Sequence, residues 1–290
     1  MNIPLYKMNY GRGLKERENI KLRGFCEARK DDTPAAWLTL KESLQVPEQN
    51  TMQYNNDNFQ FVHVIRGVMK DKDIVVKIQQ DGRLIDRELA ITRFLKEKGQ
   101  NNIVEYYCDI GCNDNMIEWL NPVVNVTKPF CMGGDDRFHL IIMEYVKYRL
   151  TEYLSKHDYT LEVLKACIKQ LIFTLCELHI NYNISHGDIK SGNILVRIGK
   201  EKINKYKIFN KEYSVDTLGY EPVFIDFQRG HMANVPFNLN KHLFMLTDEI
   251  TMLLDMFLRW CKFKDWIYSI NEQFLEVSNK KGLIRMLDSL

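Results

Sequence analysis

The chain has 290 residues, 45% hydrophobic and 27% charged, which is material for two lobes or two modest domains and not the composition of a disordered tail. Forty Lys and Arg against 38 Asp and Glu leave a formal charge of +2, which argues against an extended nucleic-acid footprint. Seven scattered cysteines form neither a disulfide framework nor a paired zinc motif, and no apolar run is long enough for a signal peptide or a membrane span, so a soluble, intracellular protein is expected.

Residues 1–50 are polar and read as a leader packed on or extending from the main domain. The segment PAAWLTLKESLQ is expected to be a short helix, with Thr33 as N-cap and Pro34 at its first position. From residue 51 the character changes. FQFVHVIRGV and DIVVKIQQ are rich in β-branched and aromatic residues, and the polar turn between them predicts an antiparallel hairpin. DRELAITRFLKEK places Leu89, Ile91, Phe94 and Leu95 on one helical face, and GQNNIVEYYCDI returns to strand character. Residues 113–137 read as an excursion that ends at Gly133 and Gly134, before the apolar strand FHLIIMEYV.

Leu161, Leu164, Ile168, Leu171, Ile172, Leu175 and Leu178 mark one sustained face of a long helix. That helix delivers the chain to NISHGDIKSGNILV, a polar turn with His186, Asp188, Lys190 and Asn193 that runs into an apolar strand. KYKIF and EYSV alternate like a small hairpin, VFIDFQRG reads as a buried strand ending in a polar turn, and LTDEITMLLDMFLRWCKF is helical.

Taken in order, these segments resemble the eukaryotic protein-kinase superfamily over residues 51–260. His186-Gly187-Asp188-Ile189-Lys190-Ser191-Gly192-Asn193 is similar to the H-R-D-L-K-x-x-N loop, and Asp226-Phe227-Gln228 to D-F-G. Lys77 in VVKI stands where the V-A-I-K lysine stands, Glu88 opens a helix like the family's C helix, and Met143 with Glu144 to Val146 resembles the gatekeeper and hinge. The resemblance implies an α+β, bilobal fold: an N-lobe (51–146) with an antiparallel sheet and a C helix, and a reduced, mainly helical C-lobe (147–290). It also implies ATP and Mg²⁺ as cofactors, with Lys77 on the phosphates and aimed by Glu88, and with Asn193 and Asp226 as metal ligands. Asp188 would orient the acceptor hydroxyl and take its proton, and Lys190 would stabilise the transferring phosphoryl.

The departures are as telling. The glycine-rich loop registers on NNDNFQFV, Asn55 to Val62, without any of its three glycines, and Val62 takes the position of the loop's valine over the nucleotide. Gln228 replaces the last glycine of D-F-G, and Gly187 removes the arginine that reads activation-segment phosphate, so control by loop phosphorylation is not expected. Asp248 is expected to be the anchor of the catalytic loop, and little chain follows it. Residues 180–260 are similar to haspin-like kinases and to compact kinases of large DNA viruses. Lys190 favours a serine/threonine kinase acting on protein substrates. A small-molecule phosphotransferase and an inactive scaffold that keeps the fold are the alternatives.

Overall fold

The computed structural model describes residues 44–45, 51–55, 61–69, 72–80, 83–111, 138–233 and 239–290. The N-lobe is built on an antiparallel sheet: β1 (Leu44–Gln45), β2 (Thr51–Asn55), β3 (Phe61–Met69), β4 (Lys72–Gln80), β5 (Tyr106–Gly111) and β6 (Phe138–Glu144), in the order β1-β3-β4-β6-β5 with β2 also on β3. The predicted hairpin is β3–β4, in a register that sets Val62 opposite Gln79 and Val64 opposite Lys77. Ile74, Val76 and Ile78 alternate with neighbours facing the other way and are fully buried, while α1 (Arg83–Lys98) meets the sheet through Ile85 and Leu89, against Tyr106 and Ile141, and the C-lobe core through Ile91 and Leu95. The expected N-terminal helix is corrected where it can be seen. Leu44–Gln45 are extended and pair with Met69 and Val68 of β3, because an open sheet edge offers unpaired amides that outweigh weak local helix preference. The rest of that segment, residues 56–60 of the stretch that registers on the glycine-rich loop, and residues 113–137 lie outside the described residues.

The C-lobe contains β7 (Tyr148–Arg149), α2 (Leu150–Lys156), α3 (Leu161–Tyr182), β8 (Ile184–Ser185), a 3₁₀ turn at Ser191–Asn193, β9 (Ile194–Ile198), β10 (Ile203–Ile208), β11 (Lys211–Asp216), β12 (Tyr220–Phe224), β13 (His231–Met232), α4 (Leu239–Trp260), α5 (Lys264–Leu275) and α6 (Lys280–Ser289). Thr160 caps α3, its side-chain oxygen accepting from the Val163 amide, and Asn183 ends the helix in the left-handed region at φ 55°. The predicted face of α3 is buried, with Leu164, Ile168, Leu171, Ile172, Leu175 and Leu178 at 0% exposure.

The opposite side of α3 is buried too, and the β10–β11 hairpin explains why. Its Tyr206 and Tyr213 rings lie 5.4 and 5.0 Å from Phe173. Below them Asn102 donates to Gln170 and to the Pro222 carbonyl, Asn204 donates to Gln170, and the Tyr206 hydroxyl donates to Asn102 at 2.6 Å. Every member of that network is paired, which a buried polar cluster requires. The insertion thus covers the side of α3 that lies opposite its predicted face. Among the described residues no helix is long and apolar enough to cross a membrane.

Candidate active site

β4 and α1 bring the first three predicted residues together. Successive strand side chains alternate, so Lys77, flanked by the core residues Val76 and Ile78, faces the cleft between the lobes together with Gln79. Lys77 Nζ lies 2.7 and 2.9 Å from the two Glu88 oxygens and 3.2 Å from Asp226 Oδ1. Burial alone would lower the Lys77 pKa, but the two carboxylates outweigh it and hold the ammonium above its ordinary range. One lysine shared between two acids cannot compensate both. Burial pushes Glu88 up, against the pull of Lys77, while Asp226, with burial opposing, is held below its usual value by the Lys77 charge and hydrogen bond. Asp226 itself sits at φ 68°, a conformation that side-chain-bearing residues rarely adopt.

The predicted catalytic loop follows α3 and is held by a fully buried histidine. His186 Nε2 lies 3.0 Å from the Ile225 carbonyl, which can only accept, and Nδ1 receives the Asp188 amide at 3.3 Å. One nitrogen therefore donates and the other accepts, the pattern of a neutral ring, and burial depresses its pKa accordingly. Its ring packs against Phe224 and Phe227. Asp188 projects from this frame. Its Oδ2 accepts from Lys190 Nζ at 2.5 Å and from Asn193 Nδ2 at 2.9 Å, and Arg229 stands 3.8 Å from Oδ1. Asn193 uses its amide nitrogen on Asp188, so its carbonyl oxygen is the atom that could hold a metal; Asp226 Oδ1 faces Lys77, which leaves Oδ2 as a second hard-oxygen donor. Those donor types suit magnesium.

The anchor of this loop is not Asp248. Asp248 is exposed, and Glu249 is the buried carboxylate: it accepts from the Gly187 amide at 2.6 Å and the His186 amide at 3.3 Å, and lies 2.9 Å from His179 Nε2. Burial would raise the Glu249 pKa, but the His179 ring and the loop amide carry it below the ordinary value. Helical period carries the signal that separates the two acids. Leu246, Ile250 and Leu253 are buried, and Glu249 lies three residues after the first and four before the last, on the inward stripe. Motif alignment favours the aspartate, and the helix face selects its neighbour.

Gly187 is required by geometry as well as tolerated by chemistry. It sits at φ 75°, and a Cβ there would collide with the Arg229 carbonyl oxygen. Backbone of the segment after Asp226 occupies the space an arginine side chain would need. We expect Gly187→Ala to lower stability by about 1–2 kcal/mol from the left-handed backbone alone, with more from the collision, measured as a fall in the urea midpoint at unchanged slope.

Met143 is half-buried on β6 opposite Val75 and Tyr106, and Val146 is buried just beyond the strand. The Glu144 carboxylate is taken by Arg197 of β9, whose Nε lies 3.0 Å from Oε2 and whose Nη2 donates to the Ile103 carbonyl. The Glu144 amide donates to the Glu105 carbonyl at 2.9 Å, and Arg197, which sequence reading misses, ties this end of β6 to the C-lobe. Val62 lies on β3 opposite Gln79.

No family model matches the chain. It is 28% identical over 153 residues to L205 of Acanthamoeba polyphaga mimivirus, provisionally named a serine/threonine-protein kinase, covering 50% of this chain and 25% of that one. It is 33% identical over 110 residues to the serine/threonine-protein kinase VPS15 of Saccharomyces cerevisiae, covering 38% of this chain and 7% of VPS15. The chain thus spans a quarter or less of the length of these curated relatives. The crystal structure of the PF14_0431 kinase domain superposes with a TM-score of 0.42 at 15% identity, covering 74% of this chain and 64% of that one. The motifs stand in order, side chains from them meet between the two lobes, and both curated relatives carry kinase names, which together support a divergent member of the protein-kinase-like superfamily.

Proposed function

We propose that the protein is a serine/threonine protein kinase that transfers the γ-phosphoryl group of ATP to protein hydroxyls, with Mg²⁺ as the metal. The observation that carries this reading is Lys77, which joins Glu88 of the N-lobe to Asp226 of the C-lobe while Asp188, Lys190 and Asn193 form a second cluster on the loop beside it. Phosphoryl transfer asks a protein chiefly for position and charge, and these two clusters supply both.

Lys77, aimed by Glu88, would hold the phosphates, with Met143, Val146, Val62 and the Glu144 main chain framing the base. Asn193 and Asp226 would hold the metal, which when bound offsets phosphate charge. Asp188, fixed by Asn193 and the His186 frame, would align the acceptor hydroxyl and accept its proton as the oxygen–phosphorus bond forms and the bond to ADP breaks. Lys190, half-exposed beside Asp188, would face the transferring group. The presence of Lys190 favours protein acceptors, and the similarity to a mimivirus protein supports a viral-type kinase.

The test is transfer from labelled Mg-ATP to a panel of basic and acidic proteins and small alcohols, with Asp188→Asn alongside. Label on protein serine or threonine that falls at least about a hundredfold in the variant is expected. Label on small alcohols alone would replace the substrate class. Nucleotide binding without any transfer would make the protein a scaffold.

A further inference from the structure

We propose that Gln228 is a positioning residue: it latches the segment after Asp226 to the N-lobe and so keeps Asp226 turned toward Lys77 and the metal position. The inference rests on the kinase reading above and adds to it a residue at a place where that family has glycine.

The observation is a hydrogen bond across the cleft. Gln228 Nε2 donates to Gln79 Oε1 at 2.9 Å, with Gln228 8% exposed and Gln79 fully buried. Gln79 follows Lys77 by two residues on β4, so both face the cleft from one strand. One side chain from the C-lobe thereby contacts the strand that carries the lysine.

The rest of the segment is fastened around it. Gly187 packs against the Arg229 carbonyl with no room for a Cβ, and a Cβ on Gly230 would stand 2.8 Å from Ile91 Cδ1 of α1. The Gly230 amide donates to the Phe227 carbonyl at 2.9 Å, Phe227 is buried against His186, and β13 then pairs with β8. Swinging Asp226 and Phe227 out would strand two buried glutamines, and leaving buried amides unpaired is costly. Glycine at 228 would carry no such penalty and would free the backbone as well.

Hydrogen exchange on the full chain without nucleotide, comparing wild type with Gln228→Gly, decides the matter. Protection at residues 225–230 is expected to fall about fivefold or more in the variant, with helix 161–182 unchanged. Equal protection in the two proteins would overturn the latch. Should the helix lose protection as well, Gln79→Ala removes the same bond from the other side and the same comparison applies. A second readout separates positioning from general weakening. In the variant the Mg²⁺ concentration for half-maximal transfer rises about fivefold while turnover recovers at saturating Mg²⁺, because metal binding pulls the population back. A normal latch by exchange with no transfer in wild type would sink the kinase reading alone. Transfer with identical protection in wild type and variant would sink the latch alone.

Discussion

Lys77→Met is expected to reduce phosphotransfer at least about a hundredfold, the scale on which removing a positioned charge from a transition state acts. The same change should weaken the fold. Lys77 and Glu88 are nearly completely buried and Asp226 is partly so, and removing the shared cation leaves two carboxylates facing each other, a loss of about 3 kcal/mol at neutral pH. The pH dependence identifies the cause. In wild type the lowered Asp226 pKa contributes stability above its unfolded value near 3.8, lost as pH falls through the folded value, whereas the raised Glu88 pKa costs stability above its unfolded value near 4.5. Without Lys77 both folded values move up. The deficit of the variant should therefore be small near pH 4 and widen as pH rises toward neutrality, in urea titrations of both proteins across that range. A deficit independent of pH would mean the lysine contributes by packing.

The second large effect belongs to Glu249. Glu249→Ala leaves the amides of His186 and Gly187 and the buried His179 ring without their acceptor, at about 1–3 kcal/mol for each stranded group before relaxation. A loss of about 3 kcal/mol or more in unfolding free energy and a collapse of transfer are expected, since the residues displaced hold Asp188 in place. Asp248→Ala, one residue away and exposed, should change stability by no more than about 0.5 kcal/mol. Glu249 also links the loop to acid. Its folded pKa is lowered, so the stability it contributes is present above the ordinary carboxylate value and disappears as pH falls through the folded one. Comparable losses in the Glu249 and Asp248 variants would show that the loop is anchored elsewhere.

The burial of α3 on both sides has a physical account in the β10–β11 hairpin. A helix as apolar as α3 needs cover on every side, and this chain provides it from α4 on one side and from the insertion between β9 and β12 on the other. Phe173, Tyr206 and Tyr213 form that contact, and the network of Asn102, Gln170 and Asn204 fixes its register.

Periodicity and turn chemistry by themselves determined much of this fold: the β3–β4 hairpin, the buried face of α3 and the β10–β11 turn are legible in the chain, because each depends on residues close in sequence. The ordered set Lys77, Glu88, Asp188, Lys190, Asn193 and Asp226 is legible as a resemblance to the kinase motifs, whose chemistry tolerates few substitutes, and the fold brings Lys77, Glu88 and Asp226 together. Tertiary structure decided what depends on which long-range face a residue meets. Leu44–Gln45 became a strand because β3 had an open edge, Glu249 rather than Asp248 took the catalytic loop because helix rotation turned it inward, and the Glu144 carboxylate went to Arg197 because β9 passes beneath the hinge. Gln228 is the sharpest case. As a letter it is a missing glycine; in the fold it is a side chain that spans the cleft to Gln79, a partner 149 positions away, which no local pattern specifies.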